Sequence, residues 1–512
     1  MSEALIDIRP DHLAIVRNIL QRRVPHHEVW AFGSRVRWTA KQYSDLDLAI
    51  IGDSPLPVET LSQLTSDFAE SDLPWRVDIV DWSTTSTAFR TIIEQERVVV
   101  QAGSARRLGE WGKSKLGEVI ELKRGYDLPQ RDRVSGTVPI ISSSGISDFH
   151  DKAMAKAPGV VTGRYGTIGQ VFYIEEDYWP LNTALYVRDF KGNDPKFISY
   201  FLRTIDFQVY SDKAAVPGLN RNHLHEAQVR VPPLAEQRAI AHVLGSLDDK
   251  IDLNRRTNET LEAMARALFK DWFVDFGPVR AKMQGRQPPG LSADIAALFP
   301  AALDAEGKPE GWESQFISEI VAFNPNERLN KDEVAPYLDM AALPTQGSWS
   351  QQPIDRSFTS GMKFRNRDTL MARITPCLEN GKTAFIQNLK EGQTAWGSTE
   401  FIILRPKGKV PAEYCYLLAR SKSFREHAIQ SMTGTSGRQR VQSESLAKYV
   451  VTVPDDSIWD AFSTIVHPLF KSIAVNAELS ETLSKLRDLL LPKLLSGEIH
   501  IADAEHMVSS AC

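Results

Sequence analysis

Five residues near the start of this chain have the types and spacing to receive a phosphate-bearing ligand and, through three carboxylates, to bind metal ions. Gly33 and Ser34 follow a short apolar run, Val29 to Phe32, and an Asp-x-Asp pair, Asp45 and Asp47, begins twelve residues after the glycine. Leu46 to Ile51 reads as a strand, and the period of two puts Asp45 and Asp47 on one face of it. Asp78 lies in a later strand-like run, Val77 to Val80, and on a neighbouring strand would complete a cluster of three carboxylates. Clustered carboxylate oxygens are what hard cations such as Mg²⁺ bind. Gly33 has no side chain to hold a ligand away from the backbone, and Ser34 offers a hydroxyl donor. The alternative is a retired domain kept as an interaction module, against which stands the presence of all five residues.

The segment GSRVRWTAKQYSDLDLAI, Gly33 to Ile50, followed by RVDIVD, Arg76 to Asp81, resembles the minimal nucleotidyltransferases of the polymerase-beta-like superfamily. That resemblance implies an α/β domain over residues 1 to 104 in which Ser34, Asp45, Asp47 and Asp78 are catalytic. Gly33 and Ser34 would receive a nucleoside triphosphate, and Asp45, Asp47 and Asp78 would hold Mg²⁺, which polarises the alpha-phosphate and stabilises the leaving pyrophosphate. Minimal members of this superfamily are often antitoxins that adenylylate a partner toxin, but no toxin is visible in this chain and the acceptor stays open.

A second set of residues is basic. Lys123, Arg124, Arg164, Tyr165, Asn220 and Arg221 lie in one part of the chain, and Lys363, Arg365, Arg367, Arg373, Arg438 and Arg440 in another. Arg, Lys and Asn read base edges in the major groove, while basic side chains hold phosphates. For each residue singly, a solvated or structural role is as good a reading. The net charge of −5 is unfavourable to nucleic acid on average, but residues 1 to 104 hold 10 Lys and Arg against 15 Asp and Glu. From totals of 60 and 65, the remainder is balanced at 50 of each. Between Arg405 and Arg440, eight basic residues face only Glu413 and Glu426, a local surplus that phosphate would feel.

The elements that position these residues come next. The first hundred residues read as helix, strand, strand, helix, strand, with the first helix from Asp11 to Arg22 and a linker from Gln101 to Ala105. Beyond it the layout repeats. Trp-led openings at Trp111 and Gly311 are followed by strand-rich stretches, then by the helices PKFISYFLRT at Pro195 and PAEYCYLLARS at Pro411. Apolar strands then lead to Pro232 and Pro454, 222 residues apart. A long amphipathic helix closes each copy. The first carries the stripe Ile240, Val243, Leu244, Leu247, Ile251, Leu261, Met264 and Leu268. The second carries Phe462, Ile465, Leu469, Ile473, Leu479, Leu483, Leu486, Leu490 and Leu494, as antiparallel helix pairs do. Between the copies, Gly285 to Pro309 reads as a connector with a short helix from Ala293 to Leu298.

In this second region VPPLAEQRAIAHVLGSLDDKIDLNRRTNETLEAMARALFKDWFVDF, Val231 to Phe276, resembles the central region of type I restriction specificity subunits. GRYGTIGQVFYI (Gly163 to Ile174), LNTALYV (Leu181 to Val187), PGLNRNHLHEAQV (Pro217 to Val229) and LRDLLLPKLLSGEI (Leu486 to Ile499) resemble further segments of that family, so the likeness spans roughly residues 110 to 500. It implies an α+β multidomain chain: the nucleotidyltransferase α/β domain, then two mixed α/β target-recognition domains separated by two long antiparallel helices. The expected divisions are 1–104, a first recognition domain 105–235, spacer helix 236–285, connector 286–310, second recognition domain 311–456, spacer helix 457–500 and tail 501–512. Implied partners are double-stranded DNA read as a split site, two methyltransferase subunits and a motor-nuclease. The specificity part would need no cofactor of its own: the methylated base is flipped into the partner, so no S-adenosylmethionine site is expected. Rival readings are a metal-dependent nucleotidyltransferase aimed by a DNA-bound scaffold, and an adaptor in which one reader has decayed.

Some classes are excluded. GRYGTIG is not followed by GK[ST], so a strand–turn–strand explains its glycines better than a nucleotide loop. Apolar runs stay below the roughly 18 residues that span a bilayer. With scattered Cys377, Cys415 and Cys512, this suggests a reducing, cytoplasmic setting without membrane partners.

Overall fold

The computed structural model describes residues 6–25, 27–41, 43–52, 55–101, 111–211, 218–435 and 437–511. The linker expected from Gln101 to Ala105 lies outside them beyond Gln101, as do Pro217, Ser436 and Cys512.

The first domain opens with α1 (Pro10–Arg23), where Pro10 presets the first turn and Val16, Ile19 and Leu20 are buried. It continues through β1 (Glu28–Phe32), β2 (Leu46–Ile51), α2 (Val58–Ala69), β3 (Val77–Asp81), α3 (Thr87–Glu96) and β4 (Val98–Gln101). The sheet runs β3-β2-β1-β4. β2 and β3 are parallel, so the chain between them must cross over, and α2 is the crossover. Leu46, Leu48 and Ile50 face the core shared with α1 and α2, while Ala49 packs with Trp30, Phe32 and Ile93 on the opposite face. The helix α3 and edge strand β4 complete this domain beyond the five elements read from the sequence.

The two repeats fold alike, each considered by itself. In the first, Glu121–Arg124, Ala184–Asp189, Gly159–Gly163 and Val171–Ile174 lie side by side in that order; in the second the order is Val321–Phe323, Phe401–Pro406, Thr369–Ala372, Thr383–Phe385. Each therefore places its first, fourth, second and third strands in sequence. Each also has a parallel pair beside this sheet, Trp179–Pro180 with Val138–Ser142 and Ala395–Gly397 with Val334–Leu338. The opening strand of each copy pairs antiparallel with its last: Lys113–Lys115 with Gln228–Arg230, and Glu313–Phe316 with Val450–Val453. The run GRYGTIG is the expected hairpin turn, joining strands whose register sets Thr162 opposite Val171. A Cβ on Gly163 would stand 2.0 Å from the Thr167 carbonyl oxygen, so only glycine fits there.

Long helices follow both last strands, Leu234–Phe273 and Asp456–Ser496. The chain divides into two compact units, residues 1–244 with 489–512, and residues 245–488. Within the second unit the helices are antiparallel: Arg487 Nη1 meets Asp248 Oδ1 at 2.6 Å, Asn254 Nδ2 donates to Ser480 Oγ at 3.1 Å, and Asn258 Nδ2 to the Ile473 carbonyl at 3.1 Å. Asn254 is buried, a polar lock on register that a hydrophobic stripe does not reveal. Met264, expected on the stripe, is 53% exposed. Ala265, Phe269, Trp272 and Phe273 take its place, because here the helix turns its face to the second repeat.

There the helices and the repeat share one core. Phe273 stacks on Trp459 with centroids 4.9 Å apart, Tyr414 meets Trp459 edge-on at 4.8 Å, and Tyr416 hydroxyl donates to buried Glu262 at 2.7 Å. The first long helix ends at Phe273, before the expected 285; Phe276, at φ 54°, turns the chain into Gly277–Met283. The connector helix Ala293–Leu298 forms as read, and the expected tail is helical from Ile501 to Ala511. Among the described residues no helix is long and apolar enough to cross a membrane.

Trp459 is 2% exposed at the centre of this core, whereas Val475 on the same helix is 56% exposed. In urea, Trp459→Ala should destabilise the second unit by about 3–5 kcal/mol, and Val475→Ala should change it by less than ~0.5 kcal/mol. Equal losses would contradict a core centred on this aromatic cluster.

Candidate functional site

In the first domain the strand register decides where the acids stand. Asp47 on β2 lies directly opposite Asp78 on β3, on the face of Ala49 and away from the main core. Asp45 stands two residues before Asp47, just ahead of β2. Gly33 follows β1, whose last residue, Phe32, is paired with Asp47. Its φ is +79°, and a Cβ on it would stand 2.5 Å from Asp47 Oδ2. Glycine is thus required twice over, by conformation and by the carboxylate against it. Half-buried Ser34 begins the turn that follows.

Electrostatics agree with this proximity. Burial, then the charges of Asp78 and Asp45, push the Asp47 carboxyl above its usual range, and Arg37 only partly opposes them. Asp78 meets Arg76, Nε to Oδ1 3.2 Å. Among the described residues no three His, Cys, Asp or Glu side chains stand together as a ready metal-binding group. The donors nevertheless fit Mg²⁺ in kind, being carboxylates that already repel one another beside a glycine that leaves their approach open.

Arg35 was not singled out in the sequence, yet it holds this loop. Only 5% exposed, it donates from Nε and Nη2 to the Ser44 carbonyl at 3.0 and 2.6 Å and from Nη1 to the Asp7 carbonyl at 3.0 Å, and it lies 4.4 Å over the Trp75 ring. It thereby anchors the residue preceding Asp45. A charged residue next to Gly-Ser reads as surface, and only its distant carbonyl partners reveal the clamp.

In the first repeat the basic candidates gather at one end of the four-stranded sheet. Arg124 is opposite Leu185, and neighbouring Ala184 is opposite Gly163, after which Arg164 follows. Lys123 Nζ donates to Tyr126 hydroxyl at 3.2 Å, and Arg124 pairs with Asp127 at 3.4 Å. Arg164 lies 4.5 Å over Tyr165, whose ring in turn covers Gly218. Asn220 caps the helix Arg221–His225 by accepting from the Asn222 N–H at 3.0 Å, so this side chain has a structural task. Arg221 is exposed.

In the second repeat the six candidates separate to opposite ends of strand Thr369–Ala372. Lys363 donates to the carbonyl of Glu327 at 3.1 Å, Arg365 stands 3.9 Å from the Glu327 carboxylate, and Arg367 stands 3.7 Å from Glu413. This end is laced by buried Asp368, which Arg405 grips from Nε and Nη2 at 2.6 Å each. At the other end Arg440 forks onto Glu400 at 2.9 and 2.6 Å and holds that carboxyl below its usual range. Arg373 donates from Nη2 to the Gln442 side-chain oxygen, next to Ile374, which bridges Arg440 through backbone, and Arg438 N–H donates to the Thr435 carbonyl at 3.0 Å. Much of the basic surplus between Arg405 and Arg440 is therefore spent on internal carboxylates and carbonyls.

One correspondence emerges only from the fold. Arg164 and Arg373 each directly follow the second strand of the four-stranded sheet. Arg164 N–H donates to the Thr183 carbonyl at 2.9 Å and Arg373 N–H to the Glu400 carbonyl at 3.0 Å. Their own carbonyls accept from Leu219 at 3.0 Å and Val441 at 2.9 Å. The Nε of Arg373 is buried without a partner, a donor in need of an acceptor.

The raised Asp47 carboxyl makes a pH prediction. A carboxyl whose folded pKa exceeds its unfolded one costs stability above the folded pKa, and the cost disappears as pH falls through it. Metal-free Asp47→Asn should therefore melt higher than the parent near neutral pH, with the gap closing as pH falls toward about 4. A variant that melts lower at neutral pH would show that the carboxylate is not under this strain.

Comparison with known proteins bears on both parts. The family described as type I restriction modification DNA specificity domain matches residues 109–263, and that described as polymerase beta, nucleotidyltransferase matches residues 15–104. The probable protein adenylyltransferase MntA of Haemophilus influenzae is 57% identical over 100 residues, 20% of this chain and 88% of that protein. The type I restriction enzyme HindI specificity subunit of the same organism is 24% identical over 336 residues, covering 56% of this chain and 72% of that subunit. Among solved structures, the type I restriction-modification S subunit of M. genitalium gives a TM-score of 0.49 at 15% identity, covering 75% of this chain and 96% of that one. The chain carries at its amino end a nucleotidyltransferase domain of the MntA family, followed over residues 109–263 by a type I restriction modification DNA specificity domain.

Proposed function

We propose that the chain reads a two-part DNA sequence, one half through each repeat, and presents it to methyltransferase subunits, two in number, and to a motor-nuclease. The divisions 1–104, 105–235, 236–285, 286–310, 311–456, 457–500 and 501–512 belong to this proposal. The observation that carries it is the repeated sheet order, closed in each copy by its own first and last strands and followed by a helix of 40 or 41 residues. Two like readers on stiff helices give a split site with an unspecified interval, since helix length converts to distance along DNA at 1.5 Å per residue. Methylation mapping of a host carrying the complex tests this. Two short specified blocks separated by a fixed gap are expected, and one uninterrupted motif would overturn it.

Arg164 and Arg373 are proposed as the leading contacts because they hold equivalent places in the two copies. Lys123, Arg124, Tyr165 and Arg221 would support the first, and Arg438 and Arg440 the second; Asn220, Lys363, Arg365 and Arg367 stand as weaker candidates. Each of Arg164→Ala and Arg373→Ala should weaken binding by about 1–3 kcal/mol and relax only its own half-site. If either contacts phosphate instead, affinity should fall alike on all sequences and the salt slope should drop by about one. A variant that binds and discriminates as the parent does would remove that residue from the interface.

A second reading concerns the amino-terminal domain, and the opposition of Asp47 to Asp78 favours it. Asp45, Asp47 and Asp78 would hold Mg²⁺, with Asp78 leaving Arg76 to do so, while Gly33 and Ser34 receive a nucleoside triphosphate. The metal would supply charge stabilisation at the alpha-phosphate. Arg35 keeps Ser44, and with it Asp45, in place. Asp45→Asn with Asp47→Asn should abolish Mg²⁺-dependent nucleotide binding and transfer while leaving DNA binding and methylation intact. Loss of methylation in that variant would mean that the two parts are coupled.

A further inference from the structure

The turn after Ser34 ends unusually. Arg37 N–H donates to the Gly33 carbonyl at 3.1 Å and Thr39 N–H to the Ser34 carbonyl at 3.0 Å, the longer-reach bond that closes a helical turn through one left-handed residue. That residue is Trp38, at φ 57°. Glycine ordinarily takes this place, and a large L-residue there is strained. The strain is not repaid by burial, for the indole is 58% exposed.

The domain's other tryptophans mark the contrast. Arg97 lies 3.8 Å over Trp30, Arg35 4.4 Å over Trp75 and Arg90 5.2 Å over Trp82. Among the described residues Trp38 has neither a cation nor a second ring against it. Its place is set by the chain: it closes the turn that Gly33 and Ser34 open, and its neighbour Arg37 acts on Asp47. An exposed, strained, uncovered indole closing the turn that leads on from Gly33 and Ser34 matches the remaining part of a nucleotide, its base.

We propose that Trp38 is the base-stacking platform of the nucleotide site, holding the nucleobase of a nucleoside triphosphate by ring overlap. The inference rests on the nucleotidyltransferase reading and adds the residue that binds the base. Stacking is tolerant of base identity because every base has a π-face, so Trp38 would confer affinity for nucleotides with larger rings favoured, and no hydrogen-bonded choice among them.

The test measures binding of Mg²⁺-ATP, Mg²⁺-CTP and base-free Mg²⁺-tripolyphosphate to the full chain and to Trp38→Gly and Trp38→Phe. Trp38→Gly should weaken ATP binding about five- to hundredfold and CTP less, while tripolyphosphate binds unchanged. Trp38→Phe should stay within a few-fold of the parent. The metal- and nucleotide-free Trp38→Gly protein should melt at or above the parent temperature, because the left-handed strain is gone, which separates lost stacking from lost folding. Equal ATP affinity in Trp38→Gly and parent overturns the proposal, as does an equal loss for tripolyphosphate. Should the parent bind ATP while Trp38→Gly does too, the nucleotide site stands without this platform. Should the parent bind neither nucleotide with Mg²⁺, the nucleotidyltransferase reading falls and this inference with it.

Discussion

Pairing of the first strand with the last is the constraint on which each reader depends. Lys113–Lys115 must find Gln228–Arg230, and Glu313–Phe316 must find Val450–Val453, across more than a hundred residues in each case. Such closure is entropically costly and slow, yet it grows only logarithmically with loop length. Once made, it brings chain entry and exit together. The intervening strands can then take the same order twice, and the long helix leaves from a defined point. In the second unit that helix is held again, by the core of Phe273, Tyr414 and Trp459, and by asparagines bonded across the helix pair. Within the second unit the second repeat is thus fixed to the helix pair by a shared core.

The amino-terminal domain works by the opposite principle, local conflict. Parallel pairing of β2 with β3 forces Asp47 against Asp78, and a glycine leaves Asp47 in close contact with backbone. Such charge opposition lowers stability unless a cation joins it, and such sites are where function is expected to override stability. Arg35 shows the cost being contained, a buried guanidinium satisfied entirely by carbonyls and an indole.

Much of this was legible in the residues. Periodicity found α1 within a residue at each end, and β2 and the connector helix Ala293–Leu298 at their observed limits. The glycine spacing of GRYGTIG identified a hairpin, and repetition of short patterns revealed two like copies. What stayed hidden depends on partners distant in sequence. Arg35 reads as surface until Ser44 and Asp7 accept from it. Met264 fits a stripe until the helix changes neighbours, after which Ala265 and Phe269 face the core. Buried Asn254 interrupts a hydrophobic pattern because it binds Ser480 on the other helix. Counting charges also overstated the basic surface of the second repeat, since Arg405 and Arg440 are engaged by Asp368, Glu327 and Glu400. The equivalence of Arg164 and Arg373 is invisible without strand order, as their flanking sequences differ.

The central claim is that two separately closed readers act through one chain. It is tested most directly by exchanging residues 311–453 for the same segment of a specificity subunit that reads another sequence, then mapping methylation. The account predicts that one half of the recognised sequence changes while the other half and the gap stay as they were. A change in both halves, or an unaltered sequence, would contradict it.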